Sequence, residues 1–298
     1  MNPGLVVAGH GRHYIVETPQ GERLTCHPRG KKSECVVGDR VQWQATQAAG
    51  DEGVIERVEP RRNLLFRQDA WKTKSFAANL DQMLVLVAVE PTFSESQLAR
   101  ALIAAEGADI EARIVLNKID SPHAPAARER LAPYRAMGQE VIEVALKAEP
   151  PAARGALKGV LHGRTTLVLG PSGSGKSTLI NLLVPDARAQ VGEISRSLNT
   201  GRHTTTTTQW YWLDTERNGA LIDSPGFQEF GLGQIDAQAL PRLMPDLREA
   251  STLCRFYNCT HRDEPDCGVR AAVERGEISE SRWRIYLEIL DELTRMRW

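Results

Sequence analysis

The run Gly170, Pro171, Ser172, Gly173, Ser174, Gly175, Lys176, Ser177 fits the pattern GxxxxGK[ST], and Thr178 follows it. Such a loop offers a polyphosphate backbone N–H groups uncovered by side chains, a helix N-terminus behind them, one ammonium and one hydroxyl. In this chemistry Lys176 bridges the terminal phosphates and the Ser177 hydroxyl is a ligand of Mg²⁺. The motif needs a strand before it and a helix after it. The apolar stretch Thr166–Leu169 and the helical stretch Thr178–Leu183 supply them.

Asn117, Lys118, Ile119 and Asp120 close the apolar run Ile114–Leu116. Side chains at the carboxyl edge of a parallel strand face a ligand crevice. A carboxylate there accepts from the N1 and N2 donors of guanine and has no such partners on adenine, so Asp120 is expected to select the base. Asn117 is expected to hold the base edge, and the Lys118 stem to pack on the nucleoside.

Asp223-Ser-Pro-Gly226 follows the apolar pair Leu221 and Ile222. Its carboxylate is expected to reach the Mg²⁺ shell through water, while the Gly226 amide senses the third phosphate. Between these motifs lies the polar segment Gly201–Thr208, which can supply a second hydroxyl to Mg²⁺. Thr205 is the first choice, with Thr204 and Thr206 as competitors, and a threonine run also suits an edge strand.

Position 227, where many GTP-hydrolysing proteins keep a glutamine that orients the attacking water, holds Phe227. A phenyl ring cannot hydrogen-bond water, so intrinsic hydrolysis should be slow and should need help. His203 is the nearest candidate to assist, although a lone loop histidine can simply be solvated. The expected catalytic set is Lys176, Thr205 and His203.

Cys254, Cys259, His261 and Cys267 place three thiolates and one imidazole close together. That donor set suits one tetrahedral zinc ion with no ligand position left over, hence a closed, structural site. Cys26 and Cys35 lack histidine neighbours and read as plain thiols. Five cysteines spread this unevenly make no disulfide framework.

These groups must be held by more than one unit, since 298 residues exceed a usual single domain. From Leu5 to Val58, short β-branched stretches around Tyr14, Leu24, Val41 and Val54 alternate with Gly- and Pro-bearing turns, as in a small antiparallel barrel. From about residue 70, fully apolar runs at Met83–Val89, Ile114–Leu116, Val141–Val144, Leu167–Leu169 and Leu221–Ile222 alternate with helical segments such as Ser96–Glu106. That alternation implies a mostly parallel sheet. After Leu232 strand signals fade, and Val269–Arg275 and Ser281–Met296 read as helices, with Ser279 or Ser281 as an N-cap.

Charged residues make up 25% of the chain at a formal net charge of -1, which describes a folded globular protein and does not advertise a nucleic-acid partner. Local basic groups occur at Arg29, Lys31 and Lys32 and at Arg61, Arg62, Arg67, Lys72 and Lys74, where solvated surface is an equal alternative. The longest apolar run falls far short of a membrane-spanning helix, and the start MNPGLVVAGH lacks a basic, then apolar leader. A cytoplasmic protein without a membrane partner is expected.

The guanine motif precedes the phosphate loop, whereas common GTPases have the reverse order. This is a circular permutation, tolerated where original termini lie close together. The loop after Gly226 then runs within about thirty residues into the Cys/His cluster. GTP hydrolysis is therefore expected to reorient the C-terminal unit.

Together, Gly38-Asp-Arg-Val-Gln-Trp43, NKID, GPSGSGKST, GRHTTT, DSPGFQEFGL and the Cys/His spacing closely resemble the bacterial ribosome small-subunit-dependent GTPase A family over nearly the whole chain. The resemblance implies a multidomain α/β protein. Residues 1–68 would form a five-stranded oligonucleotide-binding (OB) barrel, 69–232 a circularly permuted P-loop GTPase, and 233–298 a helical zinc-binding module. It further implies Mg²⁺-dependent GTP hydrolysis to GDP stimulated by the small ribosomal subunit, contact with its rRNA, a part in late 30S maturation, and a monomer. The basic residues near 29–32 would suit the RNA contact.

Two departures stand out. Family members usually carry a serine after the strand Val141–Val144, where this chain reads Ala145-Leu-Lys147. The phosphate loop also suits an ATPase, although NKID argues for guanine. A GTP-sensing RNA-binding adaptor with incidental hydrolysis, and a P-loop kinase or ATPase, are the competing readings.

Overall fold

The computed structural model describes all residues except 12, 31–34, 47–51, 70–72, 185–206, 226, 228–229 and 296–298. His203, Thr204, Thr205, Thr206, Gly226, Lys31, Lys32 and Lys72 therefore lie outside the described residues.

Five strands form the N-terminal barrel: β1 (Asn2–His10), β2 (His13–Glu17), β3 (Arg23–Pro28), β4 (Arg40–Ala45) and β5 (Glu52–Val58). Neighbours run β1-β2-β3-β5-β4, and β4 pairs again with β1, for example Gly4 with Val41, which closes the barrel. Inward positions of period 2 fill it: Val6, Tyr14, Val16, Cys26, Cys35, Val41, Trp43 and Ile55. Both cysteines are buried free thiols, and burial pushes Cys26 up to about 12. Gly38 is forced: its φ is +91°, and a Cβ there would sit 2.2 Å from the Ala78 carbonyl. Next to it, fully buried Asp39 takes a bidentate pair from Arg61 at 2.7 and 2.8 Å.

The hairpin β6 (Leu64–Gln68) and β7 (Thr73–Ala78) follows, on both sides of position 68/69. Next come β8 (Gln82–Ala88), α1 (Glu95–Gly107), β9 (Glu111–Asn117), α2 (Ala124–Ala136), β10 (Val141–Val144), α3 (Pro150–Leu161), β11 (Thr165–Leu169), α4 (Lys176–Leu183), β12 (Gln209–Trp212) and β13 (Ala220–Asp223). The sheet order is β10-β9-β8-β11-β13-β12, all parallel except the edge strand β12, which runs antiparallel to β13. Every residue of β8 is buried, which is why its sequence is apolar on both faces. The pairing of Ala8 with Gln209 joins the barrel to this sheet.

A 3₁₀ turn (Leu240–Leu243), α5 (Pro245–Ser251), α6 (Gly268–Glu274) and α7 (Glu280–Arg295) complete the chain. Ser279 Oγ accepts from the Arg282 N–H at 3.3 Å, so Ser279 rather than Ser281 caps α7. This unit docks on the sheet domain through Arg100 of α1, which reaches Glu292 of α7 at 2.5 Å, and through Arg282, 2% exposed, which lies 5.1 Å over the Tyr134 ring of α2 while holding Asp246 of α5 at 2.7 and 2.9 Å.

Most of the second basic group is paired within the chain, although Arg62 is still exposed. Besides the Arg61 pair, Arg62 bonds Asp81 at 2.7 Å, and Lys74 donates to the Pro225 carbonyl. Burial beside Arg67 lowers the Lys74 pKa, and an ammonium in that position needs an acceptor.

Candidate nucleotide site and metal centre

The carboxyl ends of β9 and β11 open into a cleft of ≈ 850 Å³ lined by Asn117, Lys118, Asp120, Lys147, Pro171, Ser172, Gly173, Gly175, Lys176, Ser177 and Thr178. That volume suits a nucleotide-sized ligand. Folding thus brings together two motifs that stand fifty residues apart in the sequence.

The phosphate loop is pressed against its surroundings. A Cβ at Gly170 would lie 2.2 Å from the Leu86 carbonyl, and one at Gly175, where φ is +109°, would lie 2.4 Å from Asn117 Nδ2. Helix α4 begins at Lys176 with Gly175 as its cap and no side-chain capping bond, which leaves first-turn N–H groups available to an anion.

Asn117 does something the sequence did not suggest. Its Nδ2 donates to the Ser174 carbonyl at 2.8 Å, and its Oδ1 accepts from the Leu146 N–H at 3.1 Å. The buried carboxamide is a brace between the phosphate loop and the segment after β10, with one Nδ2 proton left over. Asp120 differs: it is exposed, and among the described residues no protein donor holds its carboxylate. Lys118 turns the chain between them with φ +65° and donates to the Glu90 carbonyl on the cleft wall. Lys147 reaches the same cleft, while Ala145 and Leu146 are buried.

Lys176 Nζ donates to the Gly170 carbonyl at 2.7 Å. Burial lowers its pKa and Asp223 pulls it back up; burial raises Asp223, which is 8% exposed, and Lys176 opposes that. Each charge is penalised by the low-dielectric floor of the cleft and offset by the other, an arrangement suited to phosphate and a divalent ion. Ser177 is exposed on the first turn of α4. Thr208, at the described end of the threonine run, meets Ser224 of the DSPG segment at 2.8 Å.

Phe227 is 4% exposed and packs 6.3 Å from Phe230, which stacks on Phe76 of β7 at 5.4 Å. The segment beyond it is gripped by the β6–β7 hairpin. Gly233 N–H donates to the Gln68 carbonyl at 2.8 Å, Gln234 bonds Phe66 at 3.1 Å, and Lys74 takes the Pro225 carbonyl from the other side. Sequence reasoning named Lys74 only as a local basic group and missed its partner Pro225, and it missed Gln68, because a short half-polar hairpin has no run strong enough to stand out. Arg100 was findable: an arginine within the apolar helix α1 needs partners, and it reaches Glu292 of α7 at 2.5 Å and the Phe230 carbonyl at 3.5 Å.

The ligand atoms of Cys254, Cys259, His261 and Cys267 all lie within 4.8 Å of one another. Two sulfurs ~2.3 Å from a tetrahedral zinc ion stand about 3.8 Å apart, and sulfur and imidazole nitrogen about 3.5 Å apart. Cys254 and Cys267 sulfurs are 3.9 Å apart, and His261 Nδ1 lies 3.5 and 3.4 Å from them. The cluster can therefore hold a metal ion. Burial pushes the Cys259 thiol up to about 12, so a thiolate set here needs a cation among the sulfurs. Trp283 donates to the His261 carbonyl and Tyr286 to that of Thr260, which fixes the turn carrying the imidazole.

A family model described as RsgA GTPase matches residues 58–233. A protein of Variovorax paradoxus (strain S110), named small ribosomal subunit biogenesis GTPase RsgA, is 58% identical over 303 residues, covering 100% of this chain and 94% of the relative. One of the same name from Burkholderia pseudomallei (strain K96243) is 53% identical over 98% of this chain and 93% of its own length. Among solved structures, YjeQ from Thermotoga maritima superposes with a TM-score of 0.75 at 31% identity over 98% of each chain. YloQ, described as a circularly permuted GTPase, gives 0.71 at 26% identity over 99% of this chain and 96% of its own.

Proposed function

The chain belongs to the RsgA GTPase family and hydrolyses GTP on a circularly permuted fold, and from that premise we propose that it works in small ribosomal subunit biogenesis, late in 30S maturation, with the subunit as activator of hydrolysis. The observation that carries dependence on a partner is the burial of Phe227. A buried phenyl ring cannot orient water, so the position where many GTPases keep a glutamine supplies nothing to the attacking water, and hydrolysis by the protein alone should be slow.

Within the cleft, Asp120 reads guanine and Lys118 and Lys147 flank the nucleoside. Asn117 braces the loops, and its remaining Nδ2 proton faces the base edge. Residues Gly170–Thr178 hold the phosphates, with Lys176 on the terminal ones. Ser177, Thr205 and Asp223 are assigned to Mg²⁺, whose role is to neutralise charge developing on the phosphates. Gly226 is assigned to sensing the third phosphate, and His203 to assisting the water. One structural Zn²⁺ is assigned to Cys254, Cys259, His261 and Cys267.

We divide the labour as residues 1–68 for rRNA contact through the barrel, 69–232 for the nucleotide, and 233–298 for a module whose position follows the nucleotide state. Support for that coupling comes from Arg100, which contacts both the Phe230 carbonyl and α7. We place the protein in the cytoplasm as a monomer; no helix among the described residues is long and apolar enough to cross a membrane.

The test is GTP and ATP hydrolysis with and without purified small ribosomal subunits. Slow GTP turnover that rises at least about tenfold with subunits is expected. A rate that stays flat would favour the adaptor reading, and equal turnover of ATP would overturn the guanine assignment.

A further inference from the structure

The carboxylate of Glu17 closes β2 of the barrel, and it is 4% exposed. Its donors come from both sides of a domain boundary. Arg23 of β3 donates at 2.8 Å from within the barrel. From the sheet domain, Trp212 Nε1 donates at 2.8 Å and the Arg217 guanidinium lies at 3.4 Å. Arg217 also donates to the Pro19 carbonyl at 3.3 Å and stands 5.5 Å over the Trp212 ring. Gly21 makes room for it, since a Cβ there would lie 2.4 Å from Arg217 Nη2. A buried carboxylate keeps its charge only where donors replace water, so breaking this junction costs more than lost packing.

Trp212 is the last residue of β12, and the first end of that strand leads to the nucleotide segments. Gln209, 3% exposed, opens the strand, pairs with Ala8 of β1 and lies 3.5 Å from Thr207 Oγ1 through its Nε2. Next to it, Thr208 meets Ser224 at 2.8 Å, and Ser224 follows Asp223. The barrel therefore holds β12 at Trp212 and along β1, while the head of the strand holds the described end of the threonine run and the DSPG segment. Four extended residues span only about 13 Å, and β13 and β1 flank them on both sides. So short a strand, paired on both edges, moves as one piece.

We propose that Glu17 and Trp212 are positioning residues for GTP hydrolysis: they carry a displacement of the barrel along β12 to Thr208 and Ser224, and so set the threonine and DSPG segments around the terminal phosphate. This rests on the activation by the small subunit proposed above and names the route by which it acts. Neither residue touches nucleotide or partner. Losing the link therefore lowers the stimulated rate and leaves subunit binding alone. A contact that merely held two domains together would lower basal and stimulated rates in step.

The experiment uses the full-length, metal-loaded protein and purified small ribosomal subunits. GTP turnover is measured with and without saturating subunits for wild type, Trp212→Phe, Glu17→Gln and the double variant, together with subunit affinity and melting temperature. Trp212→Phe keeps a ring beneath Arg217 and removes the indole N–H; Glu17→Gln keeps an acceptor for that N–H and removes the charge. Expected are a basal rate within about twofold of wild type and a subunit affinity within about threefold. The stimulated rate should fall about five- to tenfold in Trp212→Phe, less in Glu17→Gln, and no further in the double variant, because both changes break one link. Should Trp212→Phe fail to fold, Glu17→Gln decides by the same criteria. Full stimulation of the variants would overturn the link alone, as would a fall explained by lost subunit affinity or one shared equally by the basal rate. Wild type whose turnover is not raised by subunits would overturn the activation reading and the link with it.

Discussion

Asn117 and Ser174 are tied together beneath the surface of the cleft: the buried carboxamide at the end of β9 donates to the phosphate-loop carbonyl at 2.8 Å. With its other end it accepts from Leu146 N–H at 3.1 Å. The base-reading strand and the phosphate loop are thus one mechanical unit, although permutation has changed their order in the chain. Asn117→Ala leaves two buried backbone groups unpaired, at roughly 1–3 kcal/mol each. It should lower the melting temperature by roughly 5–10 °C and weaken GDP binding at least about tenfold. Calorimetry and nucleotide titration check both; an unchanged melting temperature would mean the brace carries no load.

Why some of this could be read from sequence and some not follows from the range of the interactions. Lys176, Asp120 and Cys254 belong to motifs whose spacing is imposed by a ligand, so local sequence suffices to place them. The parallel strands were legible for a similar reason: β8 is buried on both faces, and its composition records that. The double use of Asn117 depends on partners 29 and 57 residues away, which no spacing rule encodes. The hairpin β6–β7 is partly exposed and of mixed composition, and β12 is only four residues long, too short to stand out as a run. The internal roles of Arg61 and Lys74 were hidden because a cation's type says nothing of its burial. Asp39 and the Pro225 carbonyl decide that.

The assignment of Asp223 to magnesium predicts that magnesium dependence is sensitive to acid. Burial raises the Asp223 pKa above the ordinary 3.8, with Lys176 opposing. A raised folded pKa means that the folded chain favours the proton. The stability this contributes is complete below the unfolded pKa and is lost as pH rises through the folded one. A divalent ion needs the carboxylate, so its affinity moves the other way and falls as pH drops through that raised value, above the usual aspartate range. Titrations of GTP with and without magnesium at falling pH should show the magnesium-dependent gain lost at a higher pH than an ordinary aspartate would give. In Asp223→Asn the gain should be small at every pH. A gain in wild type no larger than that of Asp223→Asn would refute the assignment.

Phe227 is a core residue, and restoring a glutamine should not restore hydrolysis. Its ring lies among Phe230 and its neighbours at 4% exposure. A glutamine there either buries a carboxamide without partners or drags the segment out of the core. Phe227→Gln should therefore destabilise by about 2–4 kcal/mol and leave basal turnover within about twofold of wild type. A basal rate raised tenfold or more would show that the side chain at 227 can reach the attacking water, so that the identity of this residue and not its burial decides the basal rate.

The metal cluster should matter for the C-terminal unit far more than for the nucleotide. Cys267 is both a member of the Cys/His cluster and the cap of α6, accepting from Arg270 N–H at 3.5 Å, and His261 is 2% exposed beside the Tyr286 ring. Purified protein should carry one zinc ion per chain, and cobalt substitution should give the absorption of a tetrahedral thiolate site. Chelation, or Cys267→Ser, leaves buried thiols with no cation between them. Helices α6 and α7 should then loosen, seen as lost helical signal and faster proteolysis after residue 233. Since Arg100 of α1 still holds Glu292 of α7 and Arg282 still lies over Tyr134 of α2, GDP affinity should change by less than about threefold. A large loss of nucleotide affinity on chelation would show that the cluster reaches the cleft through Arg100 and Phe230 even at equilibrium, and a metal content near zero in folded protein would refute the zinc assignment.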